Sequence, residues 1–283
     1  MSEPLPPLRS VLFLPASNPR AVDKARTLAC DAVILDLEDA VGPEDKAAAR
    51  AGMAAALAEG GFEPPLVAVR VNGLDTPWGA EDLAAVAAAG PDAVVIPKVS
   101  GVEALEAAAQ ALKDAWTPLW ANIETCSGVL QLGRISAAAK DLGVEALVFG
   151  QNDLSRDMGL RPSRDRRALH AAMSLTVTAA RAAGLAVVDG VFNDFTDREH
   201  FEDECREGRA FGFDGKAVIH PSQIAVANRV FSPDEADLAW ARAVVEAFAL
   251  PKNAGKGAVR VGGAMAERLH LEQAERWLGL ARR

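Results

Sequence analysis

The chain has 283 residues, half of them apolar and 24% charged, a balance that excludes a disordered segment, a collagen-like repeat and a small disulfide scaffold, and suits one or two globular domains. Lys and Arg number 30 against 39 Asp and Glu, a net charge of −9. That sign disfavours nucleic acid or an anionic membrane as the main partner, although a local basic patch can still bind a phosphorylated ligand.

Eight short β-branched or apolar runs appear in order: VLFLP (11–15), AVILDLED (32–39), LVAVRVN (66–72), AVVIPKV (93–99), PLWANIET (118–125), ALVFGQND (146–153), AVVDGVF (186–192) and GKAVIHP (215–221). Between them lie alanine-rich segments with helical spacing, such as Pro19 to Cys30 and Gly101 to Trp116, with Pro or Gly at many joins. Eight alternating strand and helix units predict right-handed βαβ crossovers closed into a (β/α)8 TIM barrel. An open doubly wound sheet is the runner-up, but the GxGxxG and GxxxxGK[ST] phosphate loops are missing. After the eighth run come a helix (Ser232 to Leu250), a Gly/Lys-rich linker (Pro251 to Gly263) and a last helical stretch ending in Arg283. The expected organisation is therefore a barrel over 9–232 and a C-terminal helical extension or lid over 233–283.

Three cysteines, Cys30, Cys126 and Cys205, are widely spaced with no CxxC, so neither a disulfide framework nor a zinc site is suggested. The segment MSEPLPPLRS does not have the basic start and apolar run of a signal peptide, and no apolar stretch approaches the ~20 residues of a membrane span. A soluble, cytoplasmic protein is expected.

The C-terminal ends of barrel strands form the active face, and here they are polar: Asp36, Glu38 and Asp39; Arg70 and Asn72; Lys98; Asn122 and Glu124; Gln151, Asn152 and Asp153; Asp189; His220. Side chains two apart share a face, so Asp36 with Glu38, and Arg70 with Asn72, can point the same way. Carboxylates gathered in one mouth repel unless a cation neutralises them. Glu124 and Asp153 are oxygen donors suited to a hard ion that keeps waters, which favours magnesium over zinc; the alternative is ion pairing with Arg70 and Lys98. The planar fork of Arg70 can take a substrate carboxylate or pair with Asp36 or Glu38. Lys98 is read first as charge compensation and second as a Schiff-base lysine. His220 is equally a general base or a hydrogen-bonded strand end, and His170, His200 and His270 default to surface or packing.

The runs RSVLFLPASNPRAVDKA, LDLEDAV with PEDKAAAR, VRVNGLDTPW, IPKV, NIETCSGV, FGQNDLSRDMG and GFDGKAVIHPSQI resemble, in order, the motifs of the citrate lyase β-subunit-like group. This is the CoA-ester lyase branch of the HpcH/HpaI aldolase and citrate lyase superfamily. The resemblance runs over residues 9 to 232 and more weakly into the tail. It implies a magnesium-dependent barrel that cleaves or forms the C–C bond of a citryl-, malyl- or citramalyl-CoA-like thioester, yielding an acyl-CoA and a 2-oxo acid. It implies Glu124 and Asp153 as metal ligands and Arg70 as the grip on the oxo-acid carboxylate, with Asp36, Glu38 and Asp39 around metal-bound water. It also implies Pro15, Asn18, Arg20 and Lys24 as coenzyme A contacts.

The tail departs from the pattern. Where family members carry a segment like DGxMIDxPH, this chain has VGGAMAERLH, so Glu267 stands in place of the Asp that acts as acid/base from a neighbouring subunit. A solvated helix residue is the other reading of Glu267. Competing activities are a malyl-CoA-type thioesterase, a Schiff-base aldolase on Lys98 or Lys216, and a non-catalytic CoA-ester-binding subunit. The resemblance further implies a homo-oligomer, a trimer or a multiple of it, and leaves a larger lyase complex open.

Overall fold

The computed structural model describes residues 5–281. Eight parallel strands, β1 (Ser10–Pro15), β2 (Ala32–Asp36), β3 (Val67–Arg70), β4 (Ala93–Ile96), β5 (Leu119–Ile123), β6 (Val144–Phe149), β7 (Ala186–Asp189) and β8 (Gly215–Val218), close into a barrel in chain order. Closure is made by β1 against β8, with Ser10 opposite Lys216. The intervening helices are α1 (Pro19–Ala25), α2 (Lys46–Glu59), α3 (Gly79–Ala89), α4 (Val102–Leu112), α5 (Cys126–Ala138), α6 (Gln151–Asp157), α7 (His170–Ala183), α8 (Arg198–Phe211) and α9 (Pro221–Phe231). The fold is a (β/α)8 barrel. Seven of the eight strands, all but β1, are shorter than the runs that announce them, because the last residues of those runs have already turned into the loops that carry the polar side chains.

Strand parity organises the interior. Val11, Ile34, Ala68, Val95, Trp120, Val148, Val188 and Ala217 form one inward-facing buried cluster, of which Trp120 is the largest member. The alternate positions, among them Leu35, Val69, Ile96, Ile123, Phe149 and Val187, are equally buried, as are Met53, Val86, Leu105, Ile135, Met173 and Phe201 on the helices. Strands buried on both faces read as continuous apolar runs, which is why the eight segments were visible as runs rather than alternations.

The chain divides into two compact units, one ending at Asn228 and one starting at Arg229. The second holds α10 (Glu235–Ala249), β9 (Ala258–Val261), β10 (Ala264–Glu267) and α11 (Arg268–Ala281), around a small core of Ala241, Val244, Val259, Ala266 and Ala274. Asp234 and Asp237 form a reciprocal capping box that starts α10. The stretch expected as a linker contains β9, paired antiparallel with β10 through the two-residue turn Gly262-Gly263. Both glycines have positive φ, 57° and 89°, as a two-residue hairpin of this kind requires. Four-residue strands carrying only Val259 and Ala266 as buried apolar residues are too short to show a period-2 signal. The last two residues of the anticipated tail, Arg282 and Arg283, lie outside the described residues. Among the described residues no helix is long and apolar enough to cross a membrane.

Candidate active site

The inward parity that fills the barrel continues past its apolar floor. Ile34 is followed by Asp36, Ala68 by Arg70, and Trp120 by Asn122 and Glu124, so these four polar side chains line a cavity of about 430 Å³ at the C-terminal mouth, together with Phe13, Pro15, Asp39, Gln151, Asn152, Asp153 and Asn193. Asp36, Asn122 and Glu124 are each 2% exposed or less.

One guanidinium organises the acidic side. Arg70 donates from Nε to Asp36 Oδ1 at 2.7 Å and from Nη2 to Asp36 Oδ2 at 2.5 Å, a bidentate fork, and its Nη1 lies 3.2 Å from Glu38 Oε2. Asp36 also accepts the backbone N–H groups of Glu38 and Ala40, which sets the turn at the end of β2. Lys98 Nζ donates to Glu38 Oε1 and to Asp39 Oδ2. Its backbone is left-handed, with φ 49°, and that turn aims the Lys98 N–H at Glu124 Oε1, 2.7 Å away. Asn122 Nδ2 donates to Glu124 Oε2 at 2.8 Å. Asp153, at the start of α6, pairs with Arg156 at 2.5 Å.

The charges are perturbed by this packing. Burial pushes the Glu38 carboxyl up to about 7, against the opposing pull of Arg70 and Lys98. Burial likewise raises Glu124, with the Asp153 charge adding to it and Asn122 and Arg70 opposing it. For Asp39 burial works against the charge, but the Lys98 bond wins and holds it below the ordinary range. Arg70 and Lys98 lose solvation, yet their carboxylate partners keep both above their usual values.

Among the described residues no three His, Cys, Asp or Glu side chains form a ready cage for a metal. Glu124 and Asp153 nevertheless face one cavity, and the buried Asn122 Oδ1 and Glu38 Oε2 have no hydrogen-bond partner. Two carboxylates plus neutral oxygens, with the remaining positions open to substrate and water, is a donor set that fits magnesium and not zinc.

The sequence expectations divide into three groups. Pro15, Asp36, Asp39, Arg70, Glu124 and Asp153 meet at the cavity, with Glu38 and Lys98 bonded directly behind them. Asn18 caps α1 through its side chain, accepting from Ala21, while Arg20 and Lys24 are exposed on that helix and do not line the cavity. Glu267 is the last residue of β10, exposed, with its N–H donated to His270 Nδ1; it is a strand end and not a helix residue.

Three residues singled out from the sequence do not line the cavity. Asp189 has the opposite parity to Val188 and is buried between barrel and helices, bonded to Arg166 and Lys216. Lys216 is itself fully buried against Asp189 and Glu204, which removes it from the cavity. His220 bonds Ser222 at the start of α9 and stacks on Phe195 at 4.5 Å. The cysteines are all free thiols outside the cavity, and burial pushes Cys30 and Cys205 up to about 12.

Some supporting residues escaped sequence reading. Lys46 is 6% exposed and donates from Nζ to the carbonyls of Leu37 and Glu38, clamping the acidic loop from α2. Asp82 bridges Arg50 and Asn72, and Asn72 donates to Leu37 O. Arg166 binds Gln151 Oε1 at 3.0 Å while Gln151 Nε2 donates to Val191 O, tying the loops after β6 and β7. Asn152 and Asn193 exchange hydrogen bonds across the same gap. Lys46 lies within a quoted motif, PEDKAAAR, but nothing local distinguishes it from a solvated lysine.

The family model HpcH/HpaI aldolase/citrate lyase matches residues 9–221. A (3S)-malyl-CoA thioesterase of Cereibacter sphaeroides is 45% identical over 275 residues, covering 97% of this chain and 95% of its own. An L-malyl-CoA/beta-methylmalyl-CoA lyase of the same species is 34% identical over 300 residues, covering 96% and 94%. The crystal structure of CitE from Mycobacterium tuberculosis in complex with magnesium, acetoacetate and coenzyme A superposes with a TM-score of 0.80 at 31% identity, covering 99% of both chains.

Proposed function

The chain belongs to the HpcH/HpaI aldolase/citrate lyase family, and from that membership we propose that it is a magnesium-dependent enzyme acting on a malyl-CoA-type β-hydroxyacyl-CoA, with hydrolysis of the thioester as its reaction. The observation that carries the substrate class is the cavity itself: one largely buried guanidinium among four lining carboxylates, Asp36, Asp39, Glu124 and Asp153, with Glu38 paired to it from behind, at the mouth of a barrel. Hydrolysis is favoured by the 45% identity to a thioesterase over 97% of the chain, against 34% to a lyase.

In this reading Arg70 keeps its fork on Asp36 and turns its Nη1 edge, which lies 3.2 Å from Glu38 Oε2, to the free carboxylate of the hydroxy acid. Glu124 and Asp153 hold magnesium, which when bound supplies Lewis acidity for charge developing on substrate oxygens. Glu38, titrating near neutrality and with no hydrogen bond on Oε2, accepts a proton from the water that adds to the thioester carbon and returns it to the CoA thiolate as the C–S bond breaks. Asp36 holds Arg70 in its fork geometry, Lys98 and Asp39 balance the charge around Glu38, and Pro15, Asn18, Arg20 and Lys24 meet the coenzyme A portion. The protein is proposed to work as a homo-oligomer, a trimer or a multiple of it.

The second reading is C–C cleavage to an acyl-CoA and a 2-oxo acid, favoured by the same carboxylate grip and by the lyase relative. There Glu38 accepts the hydroxyl proton and Glu267 protonates the expelled carbon. Incubating the chain with malyl-CoA and magnesium and separating the products decides between the two. Free CoA with malate supports hydrolysis, and acetyl-CoA with glyoxylate supports the lyase. Unaltered substrate, or full activity in excess chelator, overturns the proposal.

A further inference from the structure

Glu124 and Asp153 reach the cavity from different elements and are held in different ways. Glu124 is fixed by two hydrogen bonds, from the Lys98 N–H at 2.7 Å and from Asn122 Nδ2 at 2.8 Å. Asp153 bonds to Arg156, an exposed side chain three residues on in the same helix, so it travels with α6. The register of the two carboxylates is therefore set by whatever anchors the β6–α6 turn. On the β5 side the anchor is backbone, Gly150 N–H to Ile123 O at 3.0 Å. On the β7 side the turn is held by side chains. Asn152 and Asn193 exchange hydrogen bonds where both are exposed, and beneath them the half-buried Gln151 accepts from Arg166 Nη1 at 3.0 Å through Oε1 and donates to Val191 O at 2.6 Å through Nε2.

An amide of this length satisfies both ends of that link, whereas a glutamate would set a carboxylate oxygen against the Val191 carbonyl. Arg166 is a firm anchor for it: the same Nη1 donates to both Asp189 oxygens, at 2.8 and 2.9 Å, and Asp189 accepts in turn from Lys216 at 2.9 Å, all within the protein interior. The packing leaves Gln151 no slack, because a Cβ on Gly190 would come within 2.8 Å of Phe149 O and 2.9 Å of Gln151 Cγ. A buried ion cluster that takes no part in the chemistry is thus tied to the turn that carries Asp153. We propose, resting on the magnesium reading above, that Gln151 anchored by Arg166 is a positioning residue that sets Asp153 against Glu124 and so fixes the affinity for the divalent cation. Contacts that orient metal ligands from outside their coordination typically change metal affinity about 10- to 100-fold when removed.

The test titrates the full chain, without substrate, with manganese(II), which suits the same oxygen ligands as magnesium and whose free ion is counted by electron paramagnetic resonance. The wild type is expected to bind manganese(II) displaceable by magnesium, and Asp153→Asn to lose it. Gln151→Met, close in shape but without the amide, should raise the Kd roughly tenfold or more while the denaturant midpoint stays near that of the wild type. Gly190→Ala, which displaces Gln151 without altering it, should move the Kd the same way. Gln151→Asn, one methylene too short to reach both partners, carries the test if Gln151→Met does not fold. With malyl-CoA as substrate, the magnesium concentration for half-maximal rate should rise by the same factor, and excess magnesium should restore most of kcat. A raised Kd in the variants with no turnover of malyl-CoA by any of the proteins upholds the positioning role and refutes the thioester activity. A wild-type Kd in the Gln151 and Gly190 variants, whatever their midpoints, overturns the proposal. A wild type that binds no manganese(II), or an Asp153→Asn protein that binds it unchanged, overturns the metal reading and the positioning role together.

Discussion

Glu38 is where burial does most for the chemistry. It sits between Arg70 and Lys98, two cations that favour its charged form, yet desolvation outweighs both and leaves it titrating near 7. A base must be deprotonated to act, so activity should fall on the acid side as pH drops through about 7. Removing a cation makes the carboxylate harder to ionise, so Lys98→Met should move that limb to higher pH; a pH–rate profile of the two proteins measures it. Glu38→Gln should cost about 10²- to 10⁴-fold in kcat with a smaller change in KM. An unshifted limb in Lys98→Met, or near-normal turnover in Glu38→Gln, assigns the base elsewhere. Lys98 also shows how one residue serves twice. Its side chain reaches the acids of the β2 loop, and its left-handed backbone delivers an N–H to Glu124. The residue type was legible in IPKV; the φ of 49° was not, because no local rule demands it of a lysine.

At the level of elements, the mouth is held by loops braced from behind. Gly150 lies where a Cβ would come within 2.3 Å of Glu124, so the β6–α6 turn can pass close to that carboxylate only without a side chain. Arg166 braces the same turn from the far side, with Asp189, Glu204 and Glu207 sharing its charge and Gln151 reaching from it into the cavity wall. It is 5% exposed, and cutting a buried cation out of a carboxylate cluster leaves the acids uncompensated. Arg166→Met should therefore destabilise the barrel by about 3 to 5 kcal/mol, read as a lowered denaturant midpoint. A loss below about 1 kcal/mol, the range of exposed pairs, means that the cluster relaxes without it. Sequence reading placed Asp189 at the mouth because it ends a strand run. The strand parity that buries Val188 inward turns Asp189 outward, and its partners Arg166 and Lys216 come from the α6–α7 connection and from β8. Partners 23 and 27 residues away leave no trace in a local pattern.

The whole molecule is an acidic barrel unit and a mildly basic tail unit, and only the C–C cleavage reading gives the tail a part in the chemistry, through Glu267. If Glu267 acts in trans, mixing an inactive Arg70→Met protein with an inactive Glu267→Gln protein should restore part of the activity that each lacks, since mixed oligomers contain one intact combination. Recovery measured after co-refolding or subunit exchange checks this. Two inactive proteins that stay inactive when mixed place the acid within one chain, and an active Glu267→Gln removes it from the mechanism. What the sequence by itself determined is the alternation of eight apolar runs with helical segments, and with it the closed barrel, the polar mouth and the family. Those follow from local periodicity and from motifs whose order along the chain is visible without folding. Only the tertiary structure decided which strand-end residues converge. Barrel closure and strand parity send Asp36, Arg70, Asn122 and Glu124 to one cavity and Asp189 to another face, and they bring in Lys46 and Arg166 from distant elements. The tail hairpin was decided the same way, because strands of four residues are held by pairing and by Val259 and Ala266 on a small core, contacts that exist only once the chain has folded.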